Sequence, residues 1–348
     1  MTSSCQTVGT RPDPGDVGTD SMGRAGSQSQ TTTGPDAQVS SVSDGIYWTN
    51  VIGLGLIHLG ALAGIIHLVR HPSLQTIVLA VTLYTLCGLS ITAGYHRLFA
   101  HRTYRASAAV RWFFLVFGAA AFQSSALTWS ADHRAHHADT DGPGDPHAVA
   151  RGWWWVHVGW LFHLREASAD VSRLTDLYEL RSMRLQHRCY RTVAIGVGLV
   201  VPMAIASLWG DPWGGLLVAG LLRGAVMLQS TFCVNSLAHA IGRPVYGTDV
   251  SARDSVVTAM VTFGEGYHSF HHCFPYDYRN AVHWWQYDPG KWLIWSLSRM
   301  GLVSKTRRAS ATTIARGRAR ALGMKKAQSS GGGAAAAEFG RATAEAVR

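Results

Sequence analysis

Charge is scarce in this chain. Only 15% of its 348 residues are Asp, Glu, Lys or Arg, against roughly 25% in soluble proteins, which argues against an ordinary soluble domain. The five cysteines, Cys5, Cys87, Cys189, Cys233 and Cys273, are scattered without a CxxC pair. That excludes a disulfide framework and a zinc ribbon, and reduced, cytoplasm-facing thiols are expected. No basic start followed by an apolar core opens the chain, so the first residues do not read as a signal peptide. No solenoid-type repeat is present.

What is present is apolar. Hydrophobic residues make up 47% of the chain, and the 13 tryptophans are of the kind that collects at membrane–water interfaces. Residues 1–44 are Ser, Thr, Gly, Asp, Gln and Pro with few large apolar side chains, and such a segment is expected to be disordered. Tyr47 to Val69 is a first apolar run, about 35 Å long as a helix and enough to span a bilayer. A second runs from Ser73 to Ala93, a more mixed third from Val110 to Trp129, a fourth from Tyr190 to Leu208 and a fifth from Trp213 to Val234. The membrane domain is expected over 45–303 and a basic, disordered tail over 304–348. The net charge of +10 lies mostly in that last stretch, where residues 301–348 hold ten Lys and Arg against two Glu. A basic tail marks a cytoplasmic side and its anionic lipid surface, not a nucleic-acid groove.

Histidines dominate the chemistry. His133, His136 and His137 stand at i, i+3 and i+4, as do His268, His271 and His272, so on helices each trio faces one way. His96 and His101 precede both; five residues turn a helix by about 500°, which suits a pair of ligands only at a helix end. Clustered imidazoles repel if protonated and lack partners if buried neutral, and a metal serves many at once. A structural zinc needs about four ligands, so eight argue for two metals. Asp132 and Glu265 adjoin the boxes and are expected to orient ligands. His58, His67, His71, His157, His163, His187 and His283 read as ordinary core or interfacial histidines.

If the clusters meet at one site, an even number of membrane crossings must separate them, so Val110–Trp129 must not cross. The expected fold is an all-α integral membrane protein: four transmembrane helices in two hairpins, with a cytoplasmic helical cap carrying a histidine-rich dimetal site. Arg97, Arg102 and Arg105 and the basic tail set the histidine side and both termini in the cytoplasm.

Three motifs, His96-Arg-Leu-Phe-Ala-His101, His133-Arg-Ala-His136-His137 and His268-Ser-Phe-His271-His272, resemble the histidine boxes of the membrane fatty-acyl desaturases. The resemblance is closest to the stearoyl-CoA (delta-9) branch. It extends to Ile91-Thr-Ala-Gly-Tyr95, to Arg151-Gly-Trp-Trp-Trp-Val-His-Val-Gly-Trp160 and to Phe274-Pro-Tyr-Asp-Tyr278. It implies a non-haem centre of two Fe held by nine histidines, the ninth being His239, with Asn235 holding an iron-bound water. It also implies O2-dependent insertion of a cis double bond into a long saturated acyl chain. The implied acyl tunnel bends at Gln123, Trp129, Thr231 and Phe232 and closes near Tyr84, where Gly88 leaves room for a long chain. Animal relatives carry Trp at the Phe232 position. They also carry an Asn and an Arg, for the CoA nucleotide, where this chain has Ser124 and Ala131; the basic contact that survives is Arg165. The acyl carrier is therefore open among CoA, acyl carrier protein and intact lipid.

The sequence holds no His-Pro-Gly-Gly haem motif, no GxGxxG after a strand and no iron–sulfur cysteine spacing. A separate donor, a cytochrome b5 or a ferredoxin with its reductase, is expected, with O2 and membrane lipid as further partners and no nucleic acid. The competing readings are a related di-iron hydroxylase or alkane oxygenase, and a non-catalytic metal-binding membrane protein such as a zinc transporter. Against the latter, transporters place ligands near the bilayer midplane, whereas these boxes follow helix ends.

Overall fold

Twenty-three successive residues from Trp48 to Arg70 form helix α1, whose Ile52, Leu56, Leu59, Leu62 and Val69 point outward. An apolar face left uncovered along a whole helix is a lipid-facing surface. A computed structural model describes residues 42–165, 170–247 and 250–323. Among them, four helices are long and apolar enough to cross a membrane: Trp48–Arg70, Leu74–Ala100, Tyr190–Trp209 and Pro212–Ala240. The first is α1; the second is α2 (Leu74–Leu89) continued by a π-helical stretch, Ser90–Ala100. The third apolar run became helix α3 (Ala108–Ala119) and, after a break at residues 120–125, helix α4 (Ala126–Ala138). Twelve residues of α3 reach only about 18 Å, short of a bilayer core.

The last two spans are α5 (Tyr190–Trp209) and α6 (Pro212–Ala240), and both α1 and α2 pack on α6. Gly64 allows the closest approach, since a Cβ there would lie 2.4 Å from the Leu217 carbonyl oxygen. At one end the links after α1 and α5 are tied together, as His67 Nε2 lies 2.8 Å from Asp211 Oδ1 and Thr76 donates to Oδ2 at 2.6 Å. Inside the bundle, Arg223 of α6 is buried without a carboxylate in reach among its contacts. It donates instead to the carbonyls of Ala120 at 2.6 Å, Gly198 at 3.0 Å and Ala219 at 3.1 Å, and lies over the Phe122 ring. A buried cation satisfied by backbone carbonyls thus fastens the α3–α4 break to two spanning helices. Phe122 and Ser124 in that break have φ of 61° and 71°, so the chain reverses there sharply.

Beyond the spans lie the short helices α7 (Val256–Val261), α8 (His268–Cys273) and α9 (Pro289–Arg299). Four short strands form two antiparallel pairs: β1 (Val42–Ile46) with β3 (His163–Arg165), and β2 (Arg105–Ala106) with β4 (Val303–Ser304).

Strand β1 begins before the expected boundary at residue 45, and residues 304–323, expected to be disordered, continue as β4 and a helix, α10, over 311–323. Ala309 and Ile314 pack with Tyr246, Phe270 and Phe274, and Arg318 donates to the Tyr246 hydroxyl; composition alone did not reveal that apolar face. Residues 1–41 and 324–348 lie outside the described residues. Arg97, counted above among the arginines of the cytoplasmic side, is buried between Glu265 and Asp288, with N–O distances of 3.2 and 2.8 Å; it drops out of the orientation argument, leaving Arg102 and Arg105 exposed.

Candidate metal centre and apolar cavity

The π-helical stretch resolves the awkward spacing of the first box. An i→i+5 ladder lengthens each turn, and the His101 N–H closes on the His96 carbonyl at 3.0 Å. His96 and His101 therefore lie side by side, ring centroids 4.9 Å apart, at the helix end. Helix α4 presents His133 and His137 on one stripe, 4.7 Å apart, with His136 turned aside. Arg134, between them, donates to both oxygens of Asp176 at 2.9 and 2.8 Å and to the Ala100 and Phe99 carbonyls. This fork locks α4 onto the end of the π-helical stretch. The third trio sits on α8, and His239 ends α6.

The boxes mix to form two groups. His96, His101, His133 and His271 converge in one, and His136, His239, His268 and His272 in the other; within each group the ligand atoms lie within 4.8 Å of one another. His137 stands between them, its Nε2 2.9 Å from that of His271 and its ring stacked on His272 at 4.3 Å.

The protonation of several rings is dictated by their outer partners. Carboxylates only accept, so His96 Nδ1, 2.8 Å from Glu265 Oε2, and His136 Nδ1, 2.9 Å from Asp145 Oδ2, must donate. Ser251 spends its proton on Asp141 at 2.7 Å and so accepts from His239 Nδ1 at 2.6 Å. In the neutral form that ligates a metal, the Nε2 atoms of these three rings are bare lone pairs turned inward. His239 Nε2 and His268 Nδ1 are buried with no protein partner. His271 Nε2 lies 3.0 Å from His96 Nε2 and 2.9 Å from His137 Nε2, and one N–H cannot serve both. Bare nitrogens converging in twos and threes are unfavourable unless a cation sits among them. The donor set fits two metal ions, and all-imidazole ligation suits Fe, Zn, Cu or Ni.

Electrostatics agree. Burial first, and neighbouring imidazoles second, hold His101, His133, His137, His268, His271 and His272 well below the usual histidine range, so they are neutral and ready to ligate near neutral pH. Burial alone would raise the Glu265 carboxyl, but His96 and Arg97 more than offset this and hold it at about 2. Asp145 is likewise held below the usual carboxylate range against its burial, by His136 and His147. Glu265 also accepts from Asn280 at 2.7 Å and from Thr92.

Two apolar cavities meet at these histidines. The wider is lined by Asn50, Gln123, Ser124, Trp129, Asp132, Tyr190, Arg191, Thr231 and Phe232. The narrower one is lined by Gly88, Ile91, Trp129, Thr231, Thr262 and Phe263. His133, His147 and Asn235 line both. At the junction Gln123 donates to Thr231 Oγ1 at 2.7 Å and accepts from Trp129 Nε1 at 3.3 Å, while Trp129 stacks on His133 at 4.8 Å.

Of the residues expected from sequence, the eight box histidines, His239 and Asn235 come together at the centre, and Gln123, Trp129, Thr231, Phe232 and Gly88 line the cavities. Tyr84 lines neither cavity; it lies behind Phe263, ring centroids 5.1 Å apart. Arg165 lies in β3, and its side chain is outside the described residues. Asp132 lines the wider cavity, and Glu265 and Asp145 each accept from a histidine of the centre. Sequence reasoning missed Asp145, His147, Ser251, Arg191 and Phe263. Only Asp145 and His147 carried a signal, a Gly-Pro-Gly-Asp-Pro-His turn directly after the second box.

Residues 72–306 match the model of the fatty acid desaturase family. The chain is 43% identical over 246 residues to acyl-CoA desaturase 1 of Saccharomyces cerevisiae, covering 69% of this chain and 48% of that protein. It is 36% identical over 276 residues to the stearoyl-CoA desaturase of Capra hircus, covering 77% of each chain. With human stearoyl-CoA desaturase 5 it shares 34% over 281 residues, 79% of this chain and 85% of the relative. It thus spans about half the length of the yeast relative and three quarters or more of the two animal ones. Given that match and the two imidazole groups beside two adjoining apolar cavities, this chain belongs to the fatty acid desaturase family.

Proposed function

We propose that the chain is an O2-dependent acyl-CoA desaturase with a di-iron centre, introducing a cis double bond at the delta-9 position of a long saturated chain. The observation that carries this reading is the pair of imidazole groups lining apolar cavities that meet beside them. His96, His101, His133, His137 and His271 would hold one iron. His136, His239, His268 and His272 would hold the other, with Asn235 placing a water. Bound iron would supply, with O2, an oxidant able to cleave an unactivated C–H bond. The overall balance is a –CH2–CH2– unit, O2, two electrons and two protons going to –CH=CH– and two waters. The two electrons require a separate donor, a cytochrome b5 or a ferredoxin with its reductase.

The protein's part is positioning. The hydrogen-bonded Gln123–Thr231–Trp129 set lies where the two cavities adjoin beside the histidines, and it would hold the chain in the kinked shape a cis alkene needs. Buried walls exclude water from the reacting carbons. In the wider cavity, Arg191 and Asn50 are the polar groups for an acyl thioester's head, and the similarity to acyl-CoA and stearoyl-CoA desaturases favours CoA over an acyl-lipid carrier. We place the histidine face and both termini in the cytoplasm, on the exposed Arg102 and Arg105 and the basic C-terminal residues, with the spans in two hairpins under a helical cap.

Iron analysis tests the centre. The wild type is expected to hold about two irons per chain, matching its two imidazole groups, and His271→Ala to lose activity and bound iron together. Unchanged iron content and turnover in that variant would refute the ligand set. One tightly held zinc in the wild type, with no iron after anaerobic iron loading, would instead favour a non-catalytic metal protein.

A further inference from the structure

One wall of the narrower cavity is formed by a residue in an unexpected backbone conformation. Helix α7 ends with the Gly264 N–H returning to the Ala259 carbonyl at 2.9 Å, a Schellman-type ending that requires a left-handed residue just before Gly264, usually glycine. Here that residue is Phe263, with φ of 53°. L side chains adopt this conformation rarely, and a bulky one held there points to a function for its direction. That direction is into the cavity. Phe263 lines it together with Gly88, Ile91 and Thr262 and is only 9% exposed. A Cβ built on Gly88 would lie 2.3 Å from the Phe263 Cε2 and Cζ atoms. The space over Gly88, expected from sequence to hold the end of a long chain, is therefore filled by the Phe263 ring, with Tyr84 behind it.

We propose that Phe263 is the stop of the acyl channel, its ring seated in the socket that Gly88 provides, and that it sets the longest saturated chain the site accepts. This rests on the acyl-CoA reading above. The ring meets the terminal methyl end of the substrate, whereas the metal centre selects the carbons that react, so chain-length preference and double-bond position separate in this molecule.

The test is equilibrium binding of saturated acyl-CoAs of about 14 to 20 carbons to the full chain in lipid nanodiscs, with product analysis alongside, comparing the wild type with Phe263→Ala and Phe263→Gly. One methylene in an apolar pocket is worth about tenfold or more. Both variants should therefore raise the 20-carbon to 16-carbon affinity ratio by at least about tenfold, with the bond position unchanged. Phe263→Gly suits the left-handed backbone, so it decides the matter if the alanine variant does not fold. Adding Gly88→Leu to Phe263→Gly should refill the socket and restore the shorter preference, which a merely structural role for Phe263 would not produce. Folded variants with an unaltered length preference would overturn the proposal. A wild type that binds with length preference but makes no double bond would overturn the desaturase reading and leave Phe263 as the stop.

Discussion

Asp145 shows how much of the centre depends on residues that touch no metal. Its Oδ2 accepts from His136 Nδ1 and its Oδ1 from the His147 backbone N–H at 3.0 Å, so it sets both the tautomer of His136 and the turn that follows α4. In Asp145→Asn the amide can present its NH2 to His136 and invert that tautomer. Outer partners of this kind typically matter about 10- to 100-fold in metal affinity, so the variant should lose iron from one group first, falling toward one iron per chain in metal analysis. The histidines also make a pH prediction. Their folded pKa values lie below the unfolded value of about 6.5, so between the two the unfolded chain binds more protons and stability rises with pH. The metal-free protein should therefore keep its full stability above about pH 6.5 and lose it progressively as pH falls below that. A thermal melt series of the chelator-treated protein across this range checks the sign; a melting temperature that rises on acidification would contradict it.

At the level of elements, the α3–α4 break is where chain direction, tunnel shape and metal geometry meet. Gln123 lies within it, Trp129 and His133 follow on α4, and Arg223 holds its Ala120 carbonyl from across the bundle. Hydrogen bonds to a charged group contribute about 1.5–3 kcal/mol each, so Arg223→Met should lower stability by about 3 kcal/mol, read as a drop in the detergent-solubilised melting temperature. It should also blur the preferred bond position by freeing Gln123. The sequence revealed part of this: topology alone required residues 110–129 not to cross, and α3 is indeed too short. It did not reveal the π-helical stretch, because a shift from i→i+4 to i→i+5 leaves no mark on hydrophobic periodicity. Nor could it show that Arg97 is buried, since a buried ion pair and a surface arginine are written with the same letter.

For the whole molecule, what was legible came from long-range repetition: five apolar runs, four of which became helices of spanning length, and two HxxHH trios, which composition makes improbable by chance. What was not legible depends on side chains brought together from distant stretches. His239 found its group only because α6 ends beside α8, and Phe263 became a channel stop only because α7 ends over Gly88. The order of the C-terminal segment is similar: Ile314 and Arg318 gain their partners from Tyr246 and Phe274, far away in sequence. The central claim is that these parts form one oxidising site beside an acyl channel. Its most direct test is gas chromatography with mass spectrometry of the products formed from stearoyl-CoA by the iron-loaded full chain, supplied with O2 and an electron donor. The expected product is a single cis-monounsaturated chain with its bond at delta-9, and a hydroxylated chain carrying no new double bond would contradict the claim.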